Sequence, residues 1–497
     1  MQQENPKITL IVGAGESGTG AARLAKAKGL PVFLTEKGNI NPSYKEKLQA
    51  YQIDFEENKH DKAFQLLQQK QVSQIVKSPG IPDNAPLIQE ALQQQIPIIS
   101  EIEFASRYTQ AKIIAITGSN GKTTTTLLTH HLLKHAGLNV AMGGNVGNSF
   151  AELVIDDKHQ WYVLEVSSFQ LDGCYEFKPF IAILLNITPD HLDRYEYDFE
   201  KYADAKFRIT QAQDEKDYFV YHPDNPAIER GILEREKYAY SKTSDSSIIT
   251  KGATQKKGIK SRFIPIEYKK PEETIIDPSK VRLIGGFCTL NDEQRTLTAM
   301  VRHLFLEQSY DQMPLKGRHN LVNIGAAVSA GLIAGINEKT LIEGLQTFQN
   351  IAHRLELVAK INEVQFINDS KATNVDAVWY ALDAFDEGDK NQKNIIWIAG
   401  GQDKGNDYQQ IQTLVKRKVK KLICLGIDNQ KLKQFFSPLL PEIAETQSIS
   451  EAIDLAIQST QPGDVVLLSP ACASFDLFKN YEDRGNQFKT QVQLRNL

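Results

Sequence analysis

The chain has 497 residues, 41% of them apolar and 24% charged, with a formal net charge of -4. That length exceeds one ordinary core and implies roughly three domains of a water-soluble globular protein. The charge makes no electrostatic case for nucleic acid or an anionic membrane, and no apolar run approaches the ~20 residues of a spanning helix.

The opening "MQQENPKI" lacks a basic and apolar signal pattern, so a cytoplasmic location is expected. The next stretch, "ITLIVGAGESGTGAARLAKAKG", residues 8–29, reads as strand, glycine-rich turn and helix. Such a turn brings Gly13, Gly15 and Gly18 close to a helix N-terminus, where a pyrophosphate is the natural ligand. With Glu36 about 20 residues on, a redox dinucleotide is one candidate, although a lone GxGxxG is weak support for it. Apolar runs "PVFLT", "QIVKSPG" and "IPIIS" alternate with helical stretches, which predicts a parallel sheet with helical crossovers.

A second series starts at "KIIAITGSNGKTTT" and continues through "NVAMGGNVG", "WYVLEVSS", "FIAILLNIT" and "DYFVYHPD". These runs are apolar enough for central strands covered on both faces. At the first, a strand runs into Gly118, Gly121, Lys122 and Thr123 and then a helix. Glycines turn backbone N–H groups toward phosphate oxygens, the lysine neutralises the outer phosphates, and a hydroxyl reaches magnesium. Ile116 stands where GxxxxGK[ST] would need glycine, so this is a shorter variant of the loop.

Glu165 ends the run "WYVLE", and Asp190, His191 and Asp193 follow another strand. A carboxylate ending a buried strand is poorly explained by packing, and beside a phosphate loop it suits a metal. By contrast, His130, His131 and His135 lie on a helix with no catalytic glutamate and are expected at the surface.

Residues 226–314 lose the alternation, and "TKGATQKKGIKSRFIPIEYKK" is basic and poor in core residues. A surface excursion is expected there, with too little aromatic interleaving for nucleic acid. "LKGRHNLVNIGAAVSAGLIAGI" leads into a closing helix, and a third series then follows: "VQFINDS", "NIIWIAGG", "KKLICLG" and "DVVLLSPA". Loops after three of these strands carry Asp369, Lys371 and Thr373; Asp403 and Lys404; and Ser469, Ser474 and Lys479. Three such loops, rich in lysine and hydroxyls, suggest a second anionic ligand. Cys174, Cys288, Cys424 and Cys472 show no CxxC spacing and are expected to be reduced, buried small residues.

The simplest parse is α/β throughout, as three consecutive domains: Rossmann-like over 1–110, a P-loop ATPase-like parallel sheet over 111–350, and Rossmann-like over 351–497.

The motifs "TGSNGKTTT", "GGNVG", "LEVSSFQL", "NITPDHLDR", "GRHNLVNIGAA", "HRLE" and "SPACASFDLFKNYEDRG" occur in an order that resembles the Mur ligase family of peptidoglycan synthesis, over essentially the whole chain. Within the family "NDSKATN" resembles the D-glutamate-adding members, and the DNPR motif of the diaminopimelate- or lysine-adding members is absent. The resemblance implies ATP and Mg2+, UDP-N-acetylmuramoyl-L-alanine and D-glutamate as substrates, an acyl-phosphate intermediate, a C-terminal domain that closes on the ATPase, and a monomer.

It also implies roles for residues. Gly118, Ser119, Asn120, Gly121, Lys122, Thr123 and Thr124 form the ATP loop, with Asn320 and Asn323 at adenine. Arg354, Asp369 and Lys371 join the nucleotide; Thr123, Glu165 and His191 meet metal; and Lys206 matches a lysine carbamylated to a carboxylate. Asn145 and His191 contact the sugar nucleotide, whose UDP end lies by Ser17, Thr35, Lys37 and Gly80. Thr373, Lys404, Ser474, Phe475 and Tyr481 hold the amino acid. Pro189 before "DHLDR" and "LTEKG" after the second strand depart from the family pattern. The rivals are another Mur-type amino-acid ligase, a nucleotide-dependent oxidoreductase built on the first loop, and a sensor or scaffold that binds ATP without turnover.

Overall fold

The computed structural model describes residues 7–190, 192–241, 258–269, 284–315, 317–349, 352–385, 393–403 and 405–495. They form two compact bodies, Met1–Met313 with Val322–Phe348, and Pro314–Leu321 with Gln349–Leu497.

The first body holds two sheets. Five parallel strands, β1 (Ile8–Val12), β2 (Val32–Thr35), β3 (Asp54–Glu56), β4 (Val72–Lys77) and β5 (Ile98–Ile99), lie in the order β3-β2-β1-β4-β5. The winding reverses at β1, and the crevice at such a switch point is where ligands bind in open α/β sheets. The glycine loop leaves the carboxyl end of β1 there.

The second sheet comprises β6 (Lys112–Thr117), β7 (Val140–Gly144), β8 (Trp161–Glu165), β9 (Ile181–Leu184), β10 (Tyr218–Tyr221), β11 (Arg262–Tyr268), β12 (Gly286–Asn291), β13 (Thr296–Val301) and β14 (Leu304–Ser309). Their order is β14-β13-β12-β11-β10-β9-β6-β8-β7, parallel from β7 to β12 and antiparallel at β12, β13 and β14. β6 is again a switch point, flanked by β8 and β9. The helix Lys122–His135 that follows it buries Leu128, Leu132 and Leu133, and also Thr124, Thr125, Thr126 and Thr129. His130 and His131 are half-buried rather than at the surface: His131 Nε2 lies 3.0 Å from Gly344 O, on the neighbouring helix Glu338–Thr347.

The two sheets are joined closely. Helix Glu16–Ala27 packs on helix Phe150–Val154, with an Arg23–Glu152 ion pair and no room for a side chain at Gly20 beside Ser149. The Arg194 guanidinium donates to the carbonyls of Pro79 and Ile81 at 2.8 and 2.9 Å.

The expected surface excursion is corrected by the described part of 226–314. It supplies helix Pro226–Ser241 and four strands of the second sheet, burying Phe263, Ile264, Ile266, Cys288, Leu290, Leu297, Ala299, Val301 and Leu306. Within "RFIPIEY", β11 pairs with β10 and buries Phe263, Ile264 and Ile266.

The second body holds β15 (Glu356–Ile361), β16 (Val364–Asn368), β17 (Ile395–Ala399), β18 (Val419–Leu425), β19 (Ile443–Thr446) and β20 (Val465–Leu468). The order is β15-β16-β20-β17-β18-β19, all parallel except the β15 edge. β16, β20 and β17 are adjacent, so the three loops singled out in the sequence leave neighbouring carboxyl ends. All four cysteines are buried and unpaired.

Candidate active site

The phosphate loop is built as its glycines require. Gly118 has φ +155° and Gly121 φ +82°, and a side chain at Gly121 would overlap the Asn323 amide on helix Arg318–Ile333. Positive φ and close approach together restrict both positions to glycine.

The loop is held from the end of β9. Asn186 accepts from the Asn120 N–H at 2.8 Å and donates to Asn120 O at 3.1 Å, and its own carbonyl accepts from Ser119 N–H at 3.0 Å. The Ser119 hydroxyl donates to Thr188 O at 2.8 Å and lies 2.9 Å from the Tyr202 hydroxyl. Sequence reasoning did not single out Asn186 or Tyr202; their partners lie 66 and 83 residues away. Lys122 Nζ donates to Gly118 O at 2.8 Å and Ser119 O at 2.7 Å, folded over the cradle that its charge is suited to complete.

Glu165 is 3% exposed. Its Oε1 accepts from the Asn145 amide at 2.8 Å, whereas its Oε2 is buried with no hydrogen-bond partner. An orphaned carboxylate oxygen beside a phosphate loop fits a cation, because leaving it unpaired is costly. Among the described residues no cluster of three or more His, Cys, Asp or Glu could hold a metal alone.

Lys206, on helix Phe199–Phe207, is 2% exposed. Its Nζ donates to Gly118 O at 2.9 Å and stands 4.6 Å from the Tyr202 ring centre. Burial, and then the Lys122 charge, hold its ammonium well below the ordinary lysine range, while Asp190 and Asp172 act the other way. Asp193 is exposed, and His191 lies outside the described residues.

At the first glycine loop, a side chain at Gly18 would run into Gly13 O, and one at Gly13 into Ser78 after β4. Ser17 is half-buried at the start of helix Glu16–Ala27, Lys37 and Gly80 are exposed, and Thr35 is fully buried. The Thr35 hydroxyl is 3.0 Å from Glu56 Oε1 and 2.6 Å from His60 Nδ1. The group at this strand end that meets the loop is Glu36, which accepts from Ala14 N–H at 2.8 Å and Gly38 N–H at 3.0 Å.

In the second body, Asp369 follows β16. Its Oδ2 accepts from the Ser469 hydroxyl at 2.9 Å and Oδ1 from Leu355 N–H at 3.2 Å, which places it beside Arg354. Burial pushes its carboxyl up to about 7; the Ser469 and Leu355 hydrogen bonds and the Arg354 charge pull the other way. Lys371 Nζ lies 3.7 Å from the Tyr481 ring centre. Thr373 donates its N–H to Lys371 O at 2.9 Å, Ser474 is buried, and Phe475 is 68% exposed. Asp403 is engaged by Gly405 N–H, the Tyr408 hydroxyl and Lys431, and Lys404 lies outside the described residues. Lys479 is exposed, away from these partners. On helix Arg318–Ile333, Asn320 and Asn323 are both buried, one turn apart.

Three family models match the chain: "Mur ligase MurD-like, N-terminal domain" over residues 7–100, "Mur ligase middle domain" over 116–331, and "Mur ligase, glutamate ligase domain" over 353–472. A Porphyromonas gingivalis protein named "UDP-N-acetylmuramoylalanine--D-glutamate ligase" is 45% identical over 97% of this chain and 98% of its own. A Christiangramia forsetii protein of the same name is 44% identical over 98% and 99%. Among solved structures, a pseudomurein peptide ligase type C from Methanothermus fervidus has a TM-score of 0.56 at 18% identity, covering 99% of this chain and all of its own. UDP-N-acetylmuramate-alanine ligase MurC from Thermotoga maritima has a TM-score of 0.54 at 17% identity, over 98% and 99%. These two share the fold.

Proposed function

The chain belongs to the Mur ligase family, and from that premise we propose that it is an ATP-dependent, ADP-forming ligase adding D-glutamate to UDP-N-acetylmuramoyl-L-alanine in peptidoglycan precursor synthesis. The observation that carries this is 44–45% identity, over 97–98% of the chain, to relatives that bear that activity in their names.

The chemistry has two steps. An oxygen of the alanyl carboxylate attacks the γ-phosphorus of ATP, the bond to the β-phosphate oxygen breaks, and ADP leaves. The glutamate amine, as free base, then attacks the acyl carbon; phosphate departs from the tetrahedral intermediate and the nitrogen loses a proton. Activation is needed because a free carboxylate is a poor acyl donor.

The chain's part is positioning and charge stabilisation. The loop Gly118 to Thr124 cradles the phosphates with backbone N–H groups other than those of Ser119 and Asn120, which Asn186 holds, and Lys122 exchanges its loop carbonyls for phosphate oxygens. Asn320 and Asn323 serve the adenine, and Arg354, Asp369 and Lys371 the nucleotide. Ser17, Lys37, Gly80, Asn145 and the first glycine loop grip the sugar nucleotide, while Thr373, Lys404, Ser474, Phe475 and Tyr481 hold glutamate. Glu165, Thr123, His191 and Lys206, the last as its carbamate, are the residues to hold magnesium, which neutralises charge on the transferring phosphoryl group when bound. Burial and the Lys122 charge favour the neutral amine of Lys206, the form that adds CO2. Among the described residues no helix is long and apolar enough to cross a membrane, in keeping with a cytoplasmic monomer acting on soluble substrates.

Purified protein with ATP, magnesium and the sugar nucleotide is expected to release phosphate only when D-glutamate is added. Equal release with L-alanine, lysine or diaminopimelate would favour another Mur-type ligase, and release with no amino acid would overturn the assignment.

A further inference from the structure

Arg484, in "YEDRG", is 1% exposed, and no residue of the catalytic scheme above explains it. Its hydrogen bonds go to the ends of three different strands. Nε donates to the Ser370 hydroxyl and Nη2 to Ser370 O, both at 2.9 Å, behind β16. Nη1 and Nη2 each reach Cys472 O at 3.3 Å behind β20, and Nη1 reaches Gly400 O at 3.4 Å behind β17. No carboxylate is among these partners, although Asp369 and Asp476 are near enough to favour the charge.

Packing alone does not call for a guanidinium here, because a buried charge is costly unless its hydrogen bonds are needed. The planar fork is the side chain suited to tie several carbonyls at fixed angles. The tied atoms lie one to four residues ahead of residues assigned to substrate: Ser370 ahead of Lys371 and Thr373, Gly400 ahead of Lys404, and Cys472 ahead of Ser474 and Phe475. Two of these loops are also zipped together, Gln402 N–H to Ala473 O at 2.8 Å and Ala473 N–H to Gln402 O at 3.2 Å. Gly401, with φ +126°, has no room for a side chain between Ala473 O and the guanidinium.

We propose that Arg484 is a positioning residue for the amino-acid substrate, clamping the loops behind β16, β17 and β20 into one glutamate pocket; this rests on the function proposed above. Asp369 is held separately by Ser469 and Leu355, and of the assigned residues that follow the tied atoms only Lys371 belongs to the nucleotide, so the clamp serves glutamate more than ATP.

The test compares Arg484→Lys, Ser370→Ala and the double variant in steady-state phosphate release. Arg484→Lys keeps the charge but loses the fork, and Ser370→Ala removes one acceptor with little change in volume. The expected result is a KM for D-glutamate raised about tenfold in Arg484→Lys and severalfold in Ser370→Ala. KM for ATP should stay within about twofold, and the double variant should be no worse than Arg484→Lys, as expected of residues acting through one contact. A lower thermal midpoint with unchanged KM for glutamate would reduce Arg484 to a structural role and overturn the proposal, as would equal rises in both KM values. Should Arg484→Lys fail to fold, Ser370→Ala alone decides by the same criterion. Absence of glutamate-dependent turnover in the unmutated enzyme would instead overturn the substrate assignment, and the clamp with it.

Discussion

Lys206→Met removes the amine while nearly conserving volume at a site that is 2% exposed, 2.9 Å from Gly118 O and 4.6 Å from the Tyr202 ring centre. Gly118 O keeps a partner in the variant, since Lys122 also donates to it at 2.8 Å, so the phosphate loop should survive. What is lost, on the proposed function, is the carboxylate that carbamylation would supply to the metal. Losing one charge-stabilising group at a transferring centre costs roughly 100- to 1,000-fold in kcat, about 2.7–4 kcal/mol. With CO2 removed, so that Lys206 is the free amine, stability should respond as well. The folded-state pKa of Lys206 is lowered by burial and by Lys122, so between that value and the ordinary lysine range the unfolded chain binds more protons. Wild-type stability therefore rises with pH across that window relative to the variant. The assays are phosphate release and carbon NMR after exposure to labelled bicarbonate, with a carbamate signal expected in the wild type alone. Turnover above about one tenth of wild type in the variant, or wild-type activity indifferent to CO2 removal with no carbamate signal, would refute the role given to this lysine.

Lys122→Ala should lower kcat by on the order of 1,000-fold by removing the phosphate's neutralising charge, read by phosphate release; near-normal turnover would take the loop out of the mechanism. Asp369→Asn should abolish most turnover and flatten the pH dependence of stability of the second body. With its folded pKa raised to about 7, the native state binds more protons than the unfolded chain between about 4 and 7. Wild-type stability thus falls as pH rises through that window, by on the order of 1–4 kcal/mol relative to the variant, which thermal melts at pH 5 and pH 8 would compare. Gly18→Ala drives a methyl into Gly13 O and should cost about 1–3 kcal/mol of stability. It should also raise KM for the sugar nucleotide at least tenfold with KM for ATP little changed; equal effects on both would detach the first loop from the sugar nucleotide.

The strand, glycine loop and helix at Gly118 to Thr123 were legible because period, glycine spacing and lysine all report locally. So was the adjacency of the loops after β16, β17 and β20, since loops after buried parallel strands share one sheet end. Less legible were features whose meaning lies in distant partners. β12 to β14 bury largely alternate residues and gain a core only through the sheet that reaches them from β10 by way of β11. Asn186 braces a loop 66 residues away, and Arg484 ties a loop 114 residues away; neither residue type signals this locally. At β2, the polar pair Thr35 and Glu36 could each serve a ligand on sequence grounds. The pleat decides, turning Thr35 inward to Glu56 and His60 and leaving Glu36 at the glycine loop.

The acyl-phosphate pathway is tested most directly by labelling both oxygens of the alanyl carboxylate of the sugar nucleotide with 18O and analysing the phosphate released during glutamate-dependent turnover. One 18O per phosphate is expected, because the attacking carboxylate oxygen departs bonded to phosphorus. Phosphate with no label, formed at the same rate as the amide product, would contradict the proposed chemistry.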